Sequence, residues 1–441
     1  MLGAWAGEMA GVAWAASTEF KHHGDIMPDD QVPQWQPEMI NAGYLQDDLY
    51  VEIPFLVTMA NHGPLASWSD FADSFRDTTF PLWHANDAGR RNIQAGVPAP
   101  LSGNYANNQH CEDLDWQIEA DFAGILCPGR PNEAVDIAWR AGHVMTYGDG
   151  TLGGVFIAAM HASSYFASSL EEIVDAGEAS LPEGSKYRQV VEDVRAWHAA
   201  ALPWEDAWQQ LQDKWGSDDR CPSYDMPFMQ SYDIDAKLNG AYVLIGLLYG
   251  EGDIEKSMRI AMRCGQDSDC NPSSVGGILG NWLGFAALPE QFRSALDKGR
   301  AFLFTDISLQ DALNVSKAIA ARIVVMSGGD IRSEGGSEIW DIPMDSAVLP
   351  PVLEQWPAQP NTPPALSAWI VVQSGRTVEF ASDAEDVDGI AGYEWHFGDL
   401  KRATGAIATH TYDAPGDYEV TAYAADSLGN TSWAVIPVTI P

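Results

Sequence analysis

The stretch Cys264-Gly-Gln-Asp-Ser-Asp-Cys270 sets two carboxylates, Asp267 and Asp269, one residue apart in a tight turn. A second acidic pair, Asp47-Asp48, opens a helical pattern that continues through Phe55 and Met59. Like charges this close raise each other's pKa unless a cation lies between them. Taken singly, each pair also suits the capping of a helix N-terminus, where negative charge is favoured. Taken together, two acidic turns at helix starts, far apart in sequence, are what a shared divalent site needs. Such an ion gathers about six oxygen ligands, and hard oxygen donors suit Mg²⁺, Mn²⁺ or Ca²⁺. One or two ions are expected.

These residues must be held by helices. Behind Cys270, the glycines Gly276, Gly277, Gly280 and Gly284 punctuate an apolar run to Phe285. Residues 1–16 carry a matching row, Gly3, Gly7 and Gly11, at helical spacing. Glycine costs a helix roughly 1 kcal/mol relative to alanine, so its repetition implies close approach of another backbone. The apolar N-terminal stretch has no basic leader region and reads as a packed helix, not a signal peptide. The sequence leaves open an export signal ahead of residue 1. Helical periodicity recurs over Glu133–Met145, Leu152–Ser168, Tyr187–Ala200, Trp204–Trp215, Lys237–Tyr249 and Ile254–Arg263. Residues 1–328 therefore predict an all-α domain whose inter-helix turns carry the polar chemistry.

From 329 to 364 the composition shifts to Gly and Pro, including Pro343, Pro350, Pro351, Pro357, Pro360, Pro363 and Pro364. This predicts a stiff connector draped partly on the first domain. From 365 to 441 the apolar period becomes 2, with turn signals every 8–12 residues, which predicts a small β-sandwich.

The chain of 441 residues carries 62 acidic and 24 basic side chains, a formal charge of −38. Such a surface repels phosphate backbones, which excludes nucleic acid as a bulk partner. It fits a salty or extracellular setting, or simple solubility. No run of apolar residues is long enough for a membrane span. The five cysteines, Cys111, Cys127, Cys221, Cys264 and Cys270, show neither zinc spacing nor an even number for a disulfide scaffold. His22-His23 are expected as loop histidines. Trp35, Trp68, Trp83 and Trp116 are open between sugar stacking and core packing.

The order of a glycine-spaced first helix ending in Glu19, Gln46-Asp-Asp, Gly265-Gln-Asp-Ser-Asp-Cys and Leu288-Pro289-Glu290 resembles the ADP-ribosylglycohydrolase family over residues 1 to about 325. The resemblance implies an all-α orthogonal helix bundle around a two-magnesium centre that cleaves the anomeric bond of an ADP-ribosyl group. It assigns Asp47, Asp48, Asp267 and Asp269 as metal ligands. It adds Gln46 where the family has Thr or Ser, and Cys270 where it has Thr. Glu19 matches the family's glutamate on a mobile flap beside the scissile bond. The Gly-Asp of the family's first helix is read at Gly11-Val12, so that carboxylate is expected to be absent. Gln117 and Glu119 fall where the family has a ribose and phosphate loop with a basic residue. Tyr147, Gly148 and Asp149 fall on its Thr-His stretch. With Asn271, these are the expected substrate-binding residues.

The C-terminal segment, with Tyr393-Glu-Trp-His-Phe-Gly-Asp and Tyr412-Asp-Ala-Pro-Gly-Asp-Tyr, resembles a PKD-type repeat of the immunoglobulin-like class. Such modules sit mostly on secreted or surface proteins, which implies an extracellular, cell-surface or periplasmic location and contact with glycan or cell surface. Asp383, Asp386 and Asp388 form either a Ca²⁺ site or an acidic turn.

The expected reaction is divalent-metal-dependent hydrolysis of an ADP-ribosyl or related ribosyl bond on a small molecule or a protein. Glu19, Asp48 or Asp269 would handle the proton. The transition state is oxocarbenium-like and is stabilised by nearby negative charge. Hydrolysis of other furanosides, of glycans or nucleosides outside the cell, is the alternative chemistry. A sugar- or nucleotide-binding protein without catalysis, on the same fold, is the alternative class.

Overall fold

The computed structural model describes residues 1–222, 234–357 and 362–441. Pro360 of the connector lies outside them. The helical region begins with α1 (Leu2–Ala15), α2 (Asp47–His62), α3 (Trp68–Arg76), α4 (His84–Gln94), α5 (Asp115–Ile118) and α6 (Asp121–Ile125). It continues with α7 (Pro131–Gly142), α8 (Asp149–Ser164), α9 (Leu170–Ala179), α10 (Lys186–Ala199) and α11 (Trp204–Trp215). It ends with α12 (Ala236–Gly250), α13 (Ile254–Arg263), α14 (Cys270–Leu283) and α15 (Leu309–Met326).

The glycine rows explain why α1 lies at the centre. It is buried from Gly3 to Ala15 and crosses α14 at backbone contact. A Cβ at Gly3 would overlap the Gly280 carbonyl, one at Gly7 the Gly276 carbonyl, and one at Gly11 the Pro272 carbonyl. α8 and α12, buried on nearly every face, complete the interior. Predicted and observed helix ends agree to within a few residues, and side-chain caps set several of them. Ser185, Asp235 and Asp253 accept the N–H groups of Arg188, Leu238 and Lys256. All five cysteines are buried and free. No helix among the described residues is long and apolar enough to cross a membrane.

The connector is more structured than its composition predicts. It forms a hairpin, β1 (Asp330–Glu334) with β2 (Ser337–Asp341), and then runs along the helical domain. Arg130 pairs with Asp345 at 2.8 Å, Asn132 caps the backbone of Leu349 at 2.8 Å, and His143 meets Glu354 at 3.0 Å.

The C-terminal module comprises β3 (Ala365–Ser374), β4 (Thr377–Glu385), β5 (Ile390–His396), β6 (Arg402–Thr404), β7 (Ile407–Thr411), β8 (Gly416–Asp426) and β9 (Thr431–Ile440). Two antiparallel sheets, β3-β4-β7 and β6-β5-β8-β9, enclose Phe380, Trp395, Phe397, Tyr412 and Val420. At the tip, Asp386 accepts the N–H of Asp388 at 2.8 Å in an exposed turn. The module docks on the helical domain through Tyr423 and Trp433, both edge-on to Trp68.

Candidate active site

The N-termini of α2 and α14 meet in one place. Gln46 precedes α2, so Asp47 and Asp48 form its first turn; Asp269 precedes α14, with Cys270 as its first residue. Ligand atoms of Asp47, Asp48 and Cys270 all lie within 4.8 Å of one another, as do those of Asp267, Asp269 and Cys270. The two acidic turns, 220 positions apart by number, thus share one sulfur. Asp48, Asp267 and Asp269 are almost fully buried. Oδ1 of Asp267 and Oδ1 of Asp269 have no protein hydrogen-bond partner.

Electrostatics agree with the geometry. Burial raises Asp47, and raises Asp48 and Asp269 far above the carboxylate range, with the neighbouring Asp charges adding to the latter two. Burial and the Glu19 charge push Asp267 up to about 8. Glu19 lies near them on the segment after α1. Its outer edge is exposed while its carboxyl is pushed up to about 9 by burial and by Asp269 and Asp47. Without a cation these groups cannot all ionise.

A cleft of about 310 Å³ opens over this centre. Its lining combines Glu19, Gln46, Asp47, Asp267 and Cys270 of the acidic centre with Trp83, His84, Asn86, Leu114, Asp115, Ile118 and Ile234 and with Phe20, Leu45 and Tyr50. Asp115 accepts the N–H groups of Ala85 and Asn86 at 3.3 and 3.2 Å, tying α5 to the start of α4. His84 opens α4 with φ of 44°, a left-handed conformation that is strained for a non-glycine residue. A second cavity, of about 290 Å³, lies at the domain boundary beside Trp68, Arg140 and His396, the latter two both paired with Asp136.

Not every expected residue faces the cleft. Glu119 lies behind its wall, with Oε1 accepting from Asn86 at 2.7 Å and Oε2 unpartnered. Asn271 is buried in an amide chain, donating to Asn239 at 2.9 Å. Gln117 is a core link that shares a 2.6 Å hydrogen bond with the Tyr187 hydroxyl. Tyr147 does not reach the cleft. Its hydroxyl is buried against the β-module and donates to the Gly429 carbonyl at 2.9 Å. Gly148 donates its N–H to Glu354 at 3.3 Å, and Asp149 accepts the Tyr187 N–H at 3.3 Å near Lys237. The module thus occupies the side of this segment on which sequence reasoning looked for a ligand. Of the four tryptophans, Trp116 is core, Trp68 is interfacial, Trp35 packs on Trp14, and Trp83 lines the cleft.

Sequence reasoning also missed a buried layer beneath the centre. The first helix was expected to lack its carboxylate because position 12 is Val. Val12 is core, but Glu8, one turn earlier, points inward beside Asp121 and His161. His161 Nε2 lies 2.7 Å from Asp121 and 3.9 Å from Glu8. Burial raises Glu8 and Glu52 strongly, and the Asp121 and Asp48 charges add to both. An acidic residue or histidine inside an otherwise apolar run was the available signal.

The family model for ADP-ribosylglycohydrolase matches residues 1–323, and that for a PKD domain matches residues 361–440. Among solved structures, an ADP-ribosylglycohydrolase-related protein complex is 16% identical, with 72% of this chain and 96% of that chain covered at a TM-score of 0.45. The PKD1 domain of the Vibrio cholerae metalloprotease PrtV is 28% identical over 18% of this chain and 98% of that chain, TM-score 0.17. The PKD1 domain of Vibrio anguillarum Epp is 22% identical over 18% and 96%, TM-score 0.18. No curated protein matches. The family generally uses divalent metals and consists of glycosyl hydrolases, and PKD domains commonly occur in extracellular proteins. With its helical fold and its model match over residues 1–323, the chain belongs to the ADP-ribosylglycohydrolase family and carries a PKD domain behind it.

Proposed function

We propose that the chain is a divalent-cation-dependent hydrolase of a ribosyl or closely related furanosyl bond, working outside the cell. The observation that carries this reading is the convergence of four aspartates from two helix starts, with two of their buried oxygens unpartnered. This donor set fits a hard divalent cation such as Mg²⁺ or Mn²⁺. Asp47, Asp48, Asp267 and Asp269 would hold it, with the Gln46 amide at the edge. Burial keeps the Cys270 thiol protonated, so it adds no anionic sulfur.

When bound, the cation would polarise sugar hydroxyls and water as a Lewis acid. The chain's own groups do the rest. Glu19 lines the cleft beside the aspartates and takes the proton of the attacking water. The carboxylates lining the cleft stabilise positive charge developing at the anomeric carbon. Trp83 and Tyr50 exclude water and seat the leaving group.

Chelation tests the reading. Treatment with EDTA should abolish ribosidase turnover and Mg²⁺ should restore it. Turnover undiminished in EDTA contradicts it.

A further inference from the structure

Anions are usually received at protein sites by Lys or Arg, or by the free N–H groups of a helix N-terminus. This cleft offers no Lys or Arg, and carboxylates stand at its helix N-termini. None of the described residues lining it is Lys or Arg. Residues 223–233, which precede Ile234 in sequence, contain neither. The nearby cations are engaged elsewhere. Arg90 donates to the Phe80 carbonyl at 2.8 Å and the Thr78 carbonyl at 3.3 Å, and Lys21 donates to the Ser17 carbonyl.

The helix N-termini facing the cleft each already hold a carboxylate. Asp47 and Asp48 accept N–H groups at the start of α2, Asp115 accepts those at the start of α4, and Asp269 stands at the N-cap position of α14. Two divalent cations would balance the four ligand aspartates and nothing more. Glu19 and Asp115 would remain in the lining with no Lys or Arg beside them there. The same lining carries an apolar set, Phe20, Tyr50, Trp83, Leu114, Ile118 and Ile234.

We infer that the cleft selects an uncharged furanoside with a flat apolar aglycone and rejects substrates bearing phosphate or pyrophosphate. This rests on the hydrolase reading above and narrows its substrate. A phosphoryl group entering here meets carboxylates without a compensating Lys or Arg, whereas an aromatic aglycone covers the apolar set without desolvating a charge.

A matched pair of substrates isolates the charge: an aryl ribofuranoside and its 5-phosphate, with full-length enzyme and Mg²⁺. The uncharged member should have the higher kcat/KM by at least about tenfold at low ionic strength, with the gap narrowing as salt is added. Asp115→Asn should also narrow it; if that variant misfolds, the salt dependence of the wild type still decides. Equal or faster cleavage of the phosphate overturns the inference. Adenosine and a ribofuranosyl disaccharide, run in parallel, separate aglycones: faster adenosine cleavage supports the flat aglycone and faster disaccharide cleavage overturns it. No turnover of any of these with Mn²⁺ uptake intact overturns this inference alone. Absence of Mn²⁺ uptake overturns the hydrolase reading beneath it as well.

Discussion

Nδ1 of His396 in the β-module lies 2.7 Å from the Asp136 carboxylate of α7, although 260 positions separate them in sequence. The other ring nitrogen, Nε2, lies 3.0 Å from Glu394, and Arg140 and Arg402 close the network on either side. The two domains are therefore joined by buried charge as well as by the Trp68, Tyr423 and Trp433 rings.

That junction should weaken in alkali. Glu394 and Asp136 raise His396 above its ordinary value, although burial alone would lower it. A group with a raised native pKa contributes fully below its unfolded value, about 6.5, and loses that contribution as pH climbs through the native value. Asp136 and Glu394 are held low by the same partners against the effect of burial, so their share is lost only in acid. The wild-type Tm should fall more steeply between pH 6 and 9 than that of His396→Gln. Parallel curves would refute the coupling. At pH 6, His396→Ala should cost about 2 kcal/mol in urea unfolding.

Tyr147→Phe removes one interdomain hydrogen bond and nothing in the cleft. It should lower stability by about 1 kcal/mol and leave kcat/KM unchanged. A large fall in kcat/KM with unaltered Tm would place Tyr147 at the substrate after all.

Gly7→Ala drives a methyl group into the Gly276 carbonyl, backbone against backbone. Because α14 begins at the acidic turn, a shift there is felt at Asp269. The variant should lose about 3 kcal/mol and weaken Mn²⁺ binding. Alanine tolerated with native affinity would mean the seam is looser than described.

Glu19→Gln keeps size and removes the carboxylate. Turnover should drop by about 10²–10³-fold, a typical worth of one general base, while Mn²⁺ affinity changes little. Wild-type turnover by this variant would exclude Glu19 from proton transfer.

The helical domain, the acidic pairs and the sandwich were legible in sequence because each rests on local pattern. Gly3, Gly7 and Gly11 announce close helix packing, Asp47-Asp48 and Asp267/Asp269 stand at helix starts, and the period of two marks β4, β5 and β8. Glu8, Glu52, Asp115 and Asp121 were not legible, since a buried carboxylate and a surface one read alike. Tyr147 was misplaced for a different reason. Its partner Gly429 lies 282 positions away in another domain, and no local pattern carries that contact. The hairpin at 330–341 was hidden by the surrounding Gly and Pro.

Titration of metal-free protein with Mn²⁺, followed by calorimetry and electron paramagnetic resonance, bears on the four aspartates without needing a substrate. Wild type should take up one or two ions and gain thermal stability, about 2.7 kcal/mol at a hundredfold excess over Kd. Asp267→Asn/Asp269→Asn should lose that uptake, yet melt higher than wild type in EDTA because two uncompensated buried carboxyls are gone. Wild type that binds no Mn²⁺, or a double variant that binds it equally well, would contradict the existence of the centre.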